Sequence, residues 1–371
     1  MTPVEAHYLA EFSESVGYLD FARVGPPSRS VIDATTAALA ASALAGPTTV
    51  DELMGADARA VRAVSRLSGF DPDRVTLIPN TSTGLFQVAT ALGAGEVLVP
   101  AGEFPANVYP WVRAGQAGRV TVRTITGPGG GVTPTAVADA LTPTTSAVTV
   151  SAVDFATGYR ADLAGLRSVL GDRLLVVDGI QGFGVVDERW DEHVDVLVVG
   201  SQKWLRAGWG MGFLALSPRA LDRLVPTWSG WTGVHDPTRY DGAVHARLPG
   251  AAQFSLTNLS PVNQAAFAAG LELLESVTPA WVATQVAARY AQLATALETV
   301  GAVVHSPRPA AERAGILTLS VPGVTTAALS RSLRGAGVSV TTHADRVRAS
   351  IHASTTRADT DLLLEALPVA P

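Results

Sequence analysis

Short runs of aliphatic and β-branched residues alternate with helical stretches through the first two-thirds of the chain. No other feature limits the fold so strongly. "RVTLIP" (74–79), "EVLVP" (96–100), "SAVTVSAVD" (146–154), "RLLVVDG" (173–179) and "VDVLVVG" (194–200) are almost unbroken apolar runs. A strand with one wet face alternates apolar and polar residues, whereas a continuous apolar run suits a strand covered on both faces. "RVTVRTIT" (119–126) and "GFLALS" (212–217) read as further strands. The stretches 80–93, 107–115 and 161–171 read as helices between them, and 31–45 and 56–69 as helices ahead of the first strand. The pattern predicts an α/β fold with a mostly parallel sheet covered by helices.

Beyond residue 257 the rhythm changes. Two long helical patterns (261–277 and 280–301) lead into strand "GILTLSV" (315–321), helix 326–337, strand "SVTTHADRVRASI" (339–351) and helix 357–367. The expected organisation is a segment 1–20 packing with a small domain, a large α/β domain over 21–257, and a C-terminal α+β domain over 258–371.

Charge and composition narrow the function. Net charge is −6, and no cluster of basic residues offers a nucleic-acid or anionic-membrane surface. No apolar stretch approaches the roughly 18 residues that a membrane span requires. The first twenty residues carry acids and no secretion-signal pattern, so the expected compartment is the cytoplasm. The chain has no cysteine, and with it no thiolate metal site and no catalytic thiol. The seven histidines show no paired ligand spacing, so no metal is expected. "GPGGGV" (127–132) lacks the following helix of a nucleotide loop and reads as a turn.

Among 27 basic residues, Lys203 is the single lysine; the other 26 are arginine. It follows the strand 194–200 by three residues. In open α/β sheets, ligands sit beyond the carboxyl ends of the strands. There the sequence also places Asp178, Asp154, "NTST" (80–83) and "GEFPAN" (102–107). Taken singly, an Asp after a strand is a turn former and "NTST" a helix cap. Together they meet the needs of pyridoxal phosphate. That cofactor takes a primary amine for imine formation, an anion beside its ring nitrogen, a flat group on its ring face, and N–H and hydroxyl donors at a helix start for its phosphate. Lys203, Asp178, Phe104 and Thr81–Ser82–Thr83 supply these in turn.

At these residues the chain resembles the class V, fold type I pyridoxal-phosphate family, the group of cysteine desulfurases, kynureninases and isopenicillin N epimerase-like proteins. "VVDGIQGFGVV" and "VDVLVVGSQKWL" carry its Asp-x-x-Gln and Lys-Trp/Tyr-Leu signature. The resemblance implies that Lys203 is the Schiff-base lysine and Asp178 the partner of the pyridinium nitrogen. It further implies that Gln181 bonds the phenolic oxygen and that Gln202 reaches the phosphate. Asp154 would lie near the ring, and Arg348 would clamp the substrate α-carboxylate. Trp231 and Thr232 would reach the cofactor phosphate of a neighbouring subunit, which implies a homodimer with its site at the subunit interface. Arg23 is a further expected pocket residue.

The absence of cysteine excludes a desulfurase that carries sulfur as a persulfide on this chain. The resemblance implies an enzyme acting on an amino acid through Lys203. Transamination needs no residue beyond those named and is the favoured outcome. A lyase cleaving a C–S or C–C bond, or an epimerase, is the alternative. A lyase would need an acid near the leaving group, for which Tyr109, His235, Tyr240 and His343 are candidates.

Overall fold

A computed structural model describes residues 1–127 and 131–368. Seven strands form the larger sheet: β1 (Val75–Ile78), β2 (Glu96–Pro100), β3 (Thr121–Ile125), β4 (Thr145–Ser151), β5 (Leu174–Asp178), β6 (Val196–Gly200) and β7 (Gly212–Leu216). Their spatial order is β1-β7-β6-β5-β4-β2-β3. β2 through β6 pair in parallel, while β7 runs against both β6 and β1. Every residue of β5 and β6 is buried, as their unbroken apolar sequence requires. Successive side chains point to opposite faces. Leu175 and Val177 therefore enter one core with Leu197, Val199 and Phe213, and Leu174 and Val176 enter the other with Val196, Val198 and Leu214.

The second sheet is antiparallel, in the order β10-β11-β9-β8, from β8 (Val303–Val304), β9 (Ile316–Ser320), β10 (Thr341–Thr342) and β11 (Val347–Ser350). Its core takes Leu317, Leu319, Val347 and Ala349 together with Leu293 and Leu297 of the helix Pro279–Thr299. The single strand expected over 339–351 is two short strands joined by a tight turn. His343 N donates to Arg346 O at 2.9 Å and closes that turn.

The change of rhythm at residue 257 does not mark a change of packing. The helix Pro261–Val277 puts Ala266, Phe267, Leu271 and Leu274 into the same core as β5 and β6. Gly270 allows this approach, since a Cβ there would lie 3.0 Å from Leu205 O. At the other end of the chain, Leu19 N donates to Ser339 O and Ser350 N to Leu19 O, which ties the N-terminal segment to the small sheet. Leu19 itself enters the small sheet's core. The helix Pro3–Ala10, not foreseen from the polar start, is set by a capping box between Thr2 and Glu5. Residues 128–130 of the glycine-rich turn lie outside the described residues.

Candidate active site

The carboxyl ends of β1, β2, β5 and β6 open into one cavity of about 630 Å³. Arg348 on β11 and the N-terminal residues Ala22 and Arg23 complete its wall. The cavity thus lies where three stretches of sequence meet.

Asp178 ends β5 and is 2% exposed. Burial pushes its carboxyl up to about 6, although the Ile180 N–H and the Lys203 charge both favour the ionised form. Burial acts oppositely on Lys203 and holds its amine down to about 8, against the attraction of Asp178 and with the repulsion of Arg348. Lys203 Nζ lies 5.5 Å from the centre of the Phe104 ring. A flat ligand between that ring and the lysine loop would rest on an aromatic face within reach of a primary amine.

At the far side of the floor, Asn80 is extended and caps the helix Thr81–Ala91 by accepting from Thr83 N at 2.9 Å. Thr81 and Ser82 line the cavity. Thr83 instead turns its hydroxyl back to Asn80 Oδ1 at 3.1 Å, so its part is in the cap. Thr81 Oγ1 is buried without a hydrogen-bond partner. Gly200 faces the same spot, where a Cβ would meet Thr81 Oγ1 at 2.9 Å and Gln202 Oε1 at 2.8 Å. An orphaned hydroxyl, a helix start and an amide side chain converging on space kept clear by glycine suit a phosphate. The residues present therefore fit pyridoxal phosphate: Lys203 would supply the amine, Asp178 the anion for the ring nitrogen, Phe104 a flat face, and Thr81, Ser82 and Gln202 donors for the phosphate.

Gln181 is buried, donating through Nε2 to Ala22 O at 2.9 Å and accepting through Oε1 from Trp204 Nε1 at 2.8 Å. It lines the cavity with one amide hydrogen still to give. Arg348, 5% exposed, donates through Nη1 to Phe155 O at 2.8 Å and through Nη2 to Thr341 Oγ1 at 3.0 Å. Its Nε is buried with no partner. Asp20 lies 3.5 Å from Nη2 and offsets the guanidinium's charge.

Asp154 is not part of this site. Its Oδ1 accepts from Ala156 N, Thr157 N and Thr157 Oγ1, so the carboxylate is engaged in a turn, and it does not line the cavity. Trp231 and Thr232 also lie elsewhere in this single chain: Thr232 bonds Ser255 Oγ at 2.7 Å, and Trp231 is 46% exposed. Of the four acid candidates, His343 lines the cavity, with Nε2 buried and unpartnered. His235 and Tyr109 do not line it, and Tyr240 is 88% exposed.

Three features escaped the sequence. Arg334 lines the cavity from the last turn of the helix Thr326–Gly335. Glu103 fixes the loop that carries Phe104 to the end of β4, accepting from Ser151 N at 2.6 Å and Ser151 Oγ at 2.5 Å, and burial pushes its carboxyl up to about 7. Arg206 is 2% exposed, pairs with Glu14 at 2.5 Å and lies 3.7 Å from the Phe12 ring centre. Only its place three residues after the lysine could have drawn attention to this last one.

These features are those of pyridoxal-phosphate proteins of fold type I. Residues 23–363 match the family "Aminotransferase class-V", and the chain belongs to that pyridoxal-phosphate-dependent family. It is 28% identical over 221 residues to the uncharacterized aminotransferase YcbU of Bacillus subtilis, covering 57% of this chain and 57% of that protein. It is 31% identical over 200 residues to isopenicillin N epimerase of Streptomyces clavuligerus, covering 51% of this chain and 50% of that protein. The chain thus matches little more than half the length of these relatives. Among solved structures, the cystine C–S lyase C-DES in complex with its reaction product cysteine persulfide superposes with a TM-score of 0.87 at 21% identity, over 95% of this chain and 97% of that one. The apo cysteine desulfurase from Thermococcus onnurineus NA1 gives 0.83 at 19% identity, over 94% and 93%. No helix among the described residues is long and apolar enough to cross a membrane.

Proposed function

We propose that this protein is an aminotransferase acting on a small-molecule amino acid. The observation that carries the reading is the facing pair of Lys203 and Asp178 at one cavity floor, the amine held down to about 8 and close to its neutral, reactive form. When bound, pyridoxal phosphate supplies a carbon that condenses with amines and a ring that withdraws electrons from the substrate's α-carbon. Asp178, ionised above about pH 6, holds a proton on the ring nitrogen. Lys203 would supply the primary amine that holds the cofactor and, freed from it, would take the proton from the substrate's α-carbon. Phe104 fixes the ring plane between these two groups. Arg348 orients the substrate through its free Nε and whichever Nη hydrogen it releases from Thr341.

A lyase is the second reading, and His343 favours it. Its ring lines the cavity with Nε2 buried and unpartnered, and burial with the nearby Arg348 and Arg346 charges holds its pKa down, so that once protonated it gives its proton up readily to a leaving group. We further propose a cytoplasmic homodimer, in which the exposed Trp231 and its neighbour Thr232 approach the partner's cavity. We expect no nucleic-acid partner.

Single-turnover exposure of the pyridoxal-phosphate-loaded protein to L-amino acids, with no keto acid supplied, separates the readings. Stoichiometric keto acid with conversion of the cofactor's absorbance supports the aminotransferase. Repeated product formation with the absorbance unchanged refutes it in favour of a lyase or epimerase, and the product mass tells which.

A further inference from the structure

The end of the cavity away from Thr81 holds more positive charge than one α-carboxylate needs. Arg348, Arg23 and Arg334 all line it, each from a different element. Arg348 is offset by Asp20. Arg23 and Arg334 have no side-chain hydrogen bond and no ion pair among the described residues. Among the described residues Asp178 is the only carboxylate lining the cavity, and it faces Lys203 on the floor.

A cofactor phosphate already has fitting donors in Thr81, Ser82 and Gln202. Arg23 and Arg334 are both exposed, so they line the cavity from its mouth. Arg23 acts on Arg348 through space, being one of the charges that lower the Arg348 pKa. His343 adds a buried Nε2 without a partner to the same wall. Two cations and one imidazole nitrogen thus line the cavity in addition to the arginine expected to hold the α-carboxylate.

We infer that the substrate is an amino acid whose side chain ends in a second anionic group, received by Arg23 and Arg334 with His343 as a further hydrogen-bonding partner. The inference rests on the amino-acid reading above and names the substrate class for it. The recognising chemistry is shared by a carboxylate, a sulfonate and a phosphonate. Phe104 and Phe155, whose ring centres lie 5.1 Å apart, line the cavity as apolar wall. They suit a short hydrocarbon spacer between the two anionic ends.

The test is calorimetry on the cofactor-loaded protein with ligands that cannot react: butyrate, succinate, 3-sulfopropionate and 3-phosphonopropionate. At least one dianion is expected to bind about tenfold tighter than butyrate, the worth of one charge-assisted hydrogen bond. Which dianion binds best identifies the group. In the double variant R23Q/R334Q the preference should fall to about twofold or less, with the cofactor's absorbance retained because neither residue touches its expected place. Equal binding of butyrate and all three dianions overturns the inference, and so does a preference that survives the double substitution. Failure of the underlying reading looks different. It shows as a protein with no visible cofactor band, whatever the calorimetry reports.

Discussion

At one end of the cavity Thr81 Oγ1 is buried with no partner, while at the other Arg348 gives Nη1 to Phe155 O and Nη2 to Thr341. The first end is assembled from strand ends and a helix start of a single sheet, and it can accept an anion without breaking a bond. The second end joins the small sheet, the N-terminal segment and the turn at His343, and its arginine is already braced. Of its nitrogens only Nε is without a partner, so a ligand that takes a second one competes with Thr341 or Phe155 O. Affinity is therefore built into the first end and discrimination into the second.

Substitutions can break this contrast in graded fashion. The largest effect belongs to the floor that both ends share. Lys203→Ala should abolish the covalently held cofactor's visible absorbance and reduce turnover to background; an unchanged spectrum refutes the assignment of this lysine. Asp178→Asn should lower kcat by about 10²–10³-fold, the usual cost of one preorganised electrostatic group.

The same Asp178 variant should move stability in the opposite direction. A carboxyl whose pKa is raised from 3.8 to about 6 binds more protons folded than unfolded between those values. Stability of the cofactor-free wild type is thus lost as pH rises from about 4 to 6. Asparagine has no such loss, so thermal melts at pH 5 and pH 8 should show the variant gaining relative to wild type by about 1.4 kcal/mol at the higher pH. A gap that narrows with rising pH would contradict the buried-carboxylate account.

Arg348→Ala comes next, with an amino-acid KM raised about 10- to 100-fold while the cofactor stays bound. An equal loss for amines without a carboxylate would remove Arg348 from the substrate end. The mildest change is Thr81→Val. It should weaken cofactor binding about fivefold, as for one neutral hydrogen bond, and leave the cofactor-free melting temperature unchanged or higher because an orphaned hydroxyl is removed. A lowered melting temperature would mean that the hydroxyl serves the fold instead.

What the sequence disclosed follows the same division. The strands of the larger sheet were legible because burial on both faces writes them as continuous apolar runs, and Asp178 and Lys203 stand at their ends. Thr81, Phe104 and Gln181 could be placed because they keep short, fixed spacings from those strands. Asp154 has the same position at a strand end, yet its carboxylate serves the turn that closes on Thr157. Strand-end position alone does not distinguish a ligand group from a turn former. Arg334 could not be read, because it reaches the cavity through the packing of the small domain, which no local pattern encodes; for the same reason His343 could be named only as one of four acid candidates. The helix over 261–277 was assigned to the wrong core for a related reason. Its apolar face is plain in the sequence, but which sheet it covers is not.

Gly25 carries a consequence for how such a chain comes into being. Its N–H donates to Gln202 O at 2.8 Å, and a Cβ there would lie 1.9 Å from Lys203 O. Three residues past the lysine, Arg206 reaches Glu14 from one direction and Ser354 from the other, at 2.8 Å. The lysine loop is thus pinned by chain from near the start and near the close of the described residues. Contacts so distant in sequence form late, after the loops between them have closed. During synthesis the large sheet can assemble well before residue 354 has emerged, but the lysine loop cannot take its final shape. Cofactor capture should then serve as a timer: it begins only once residue 354 has left the ribosome and docked on Arg206.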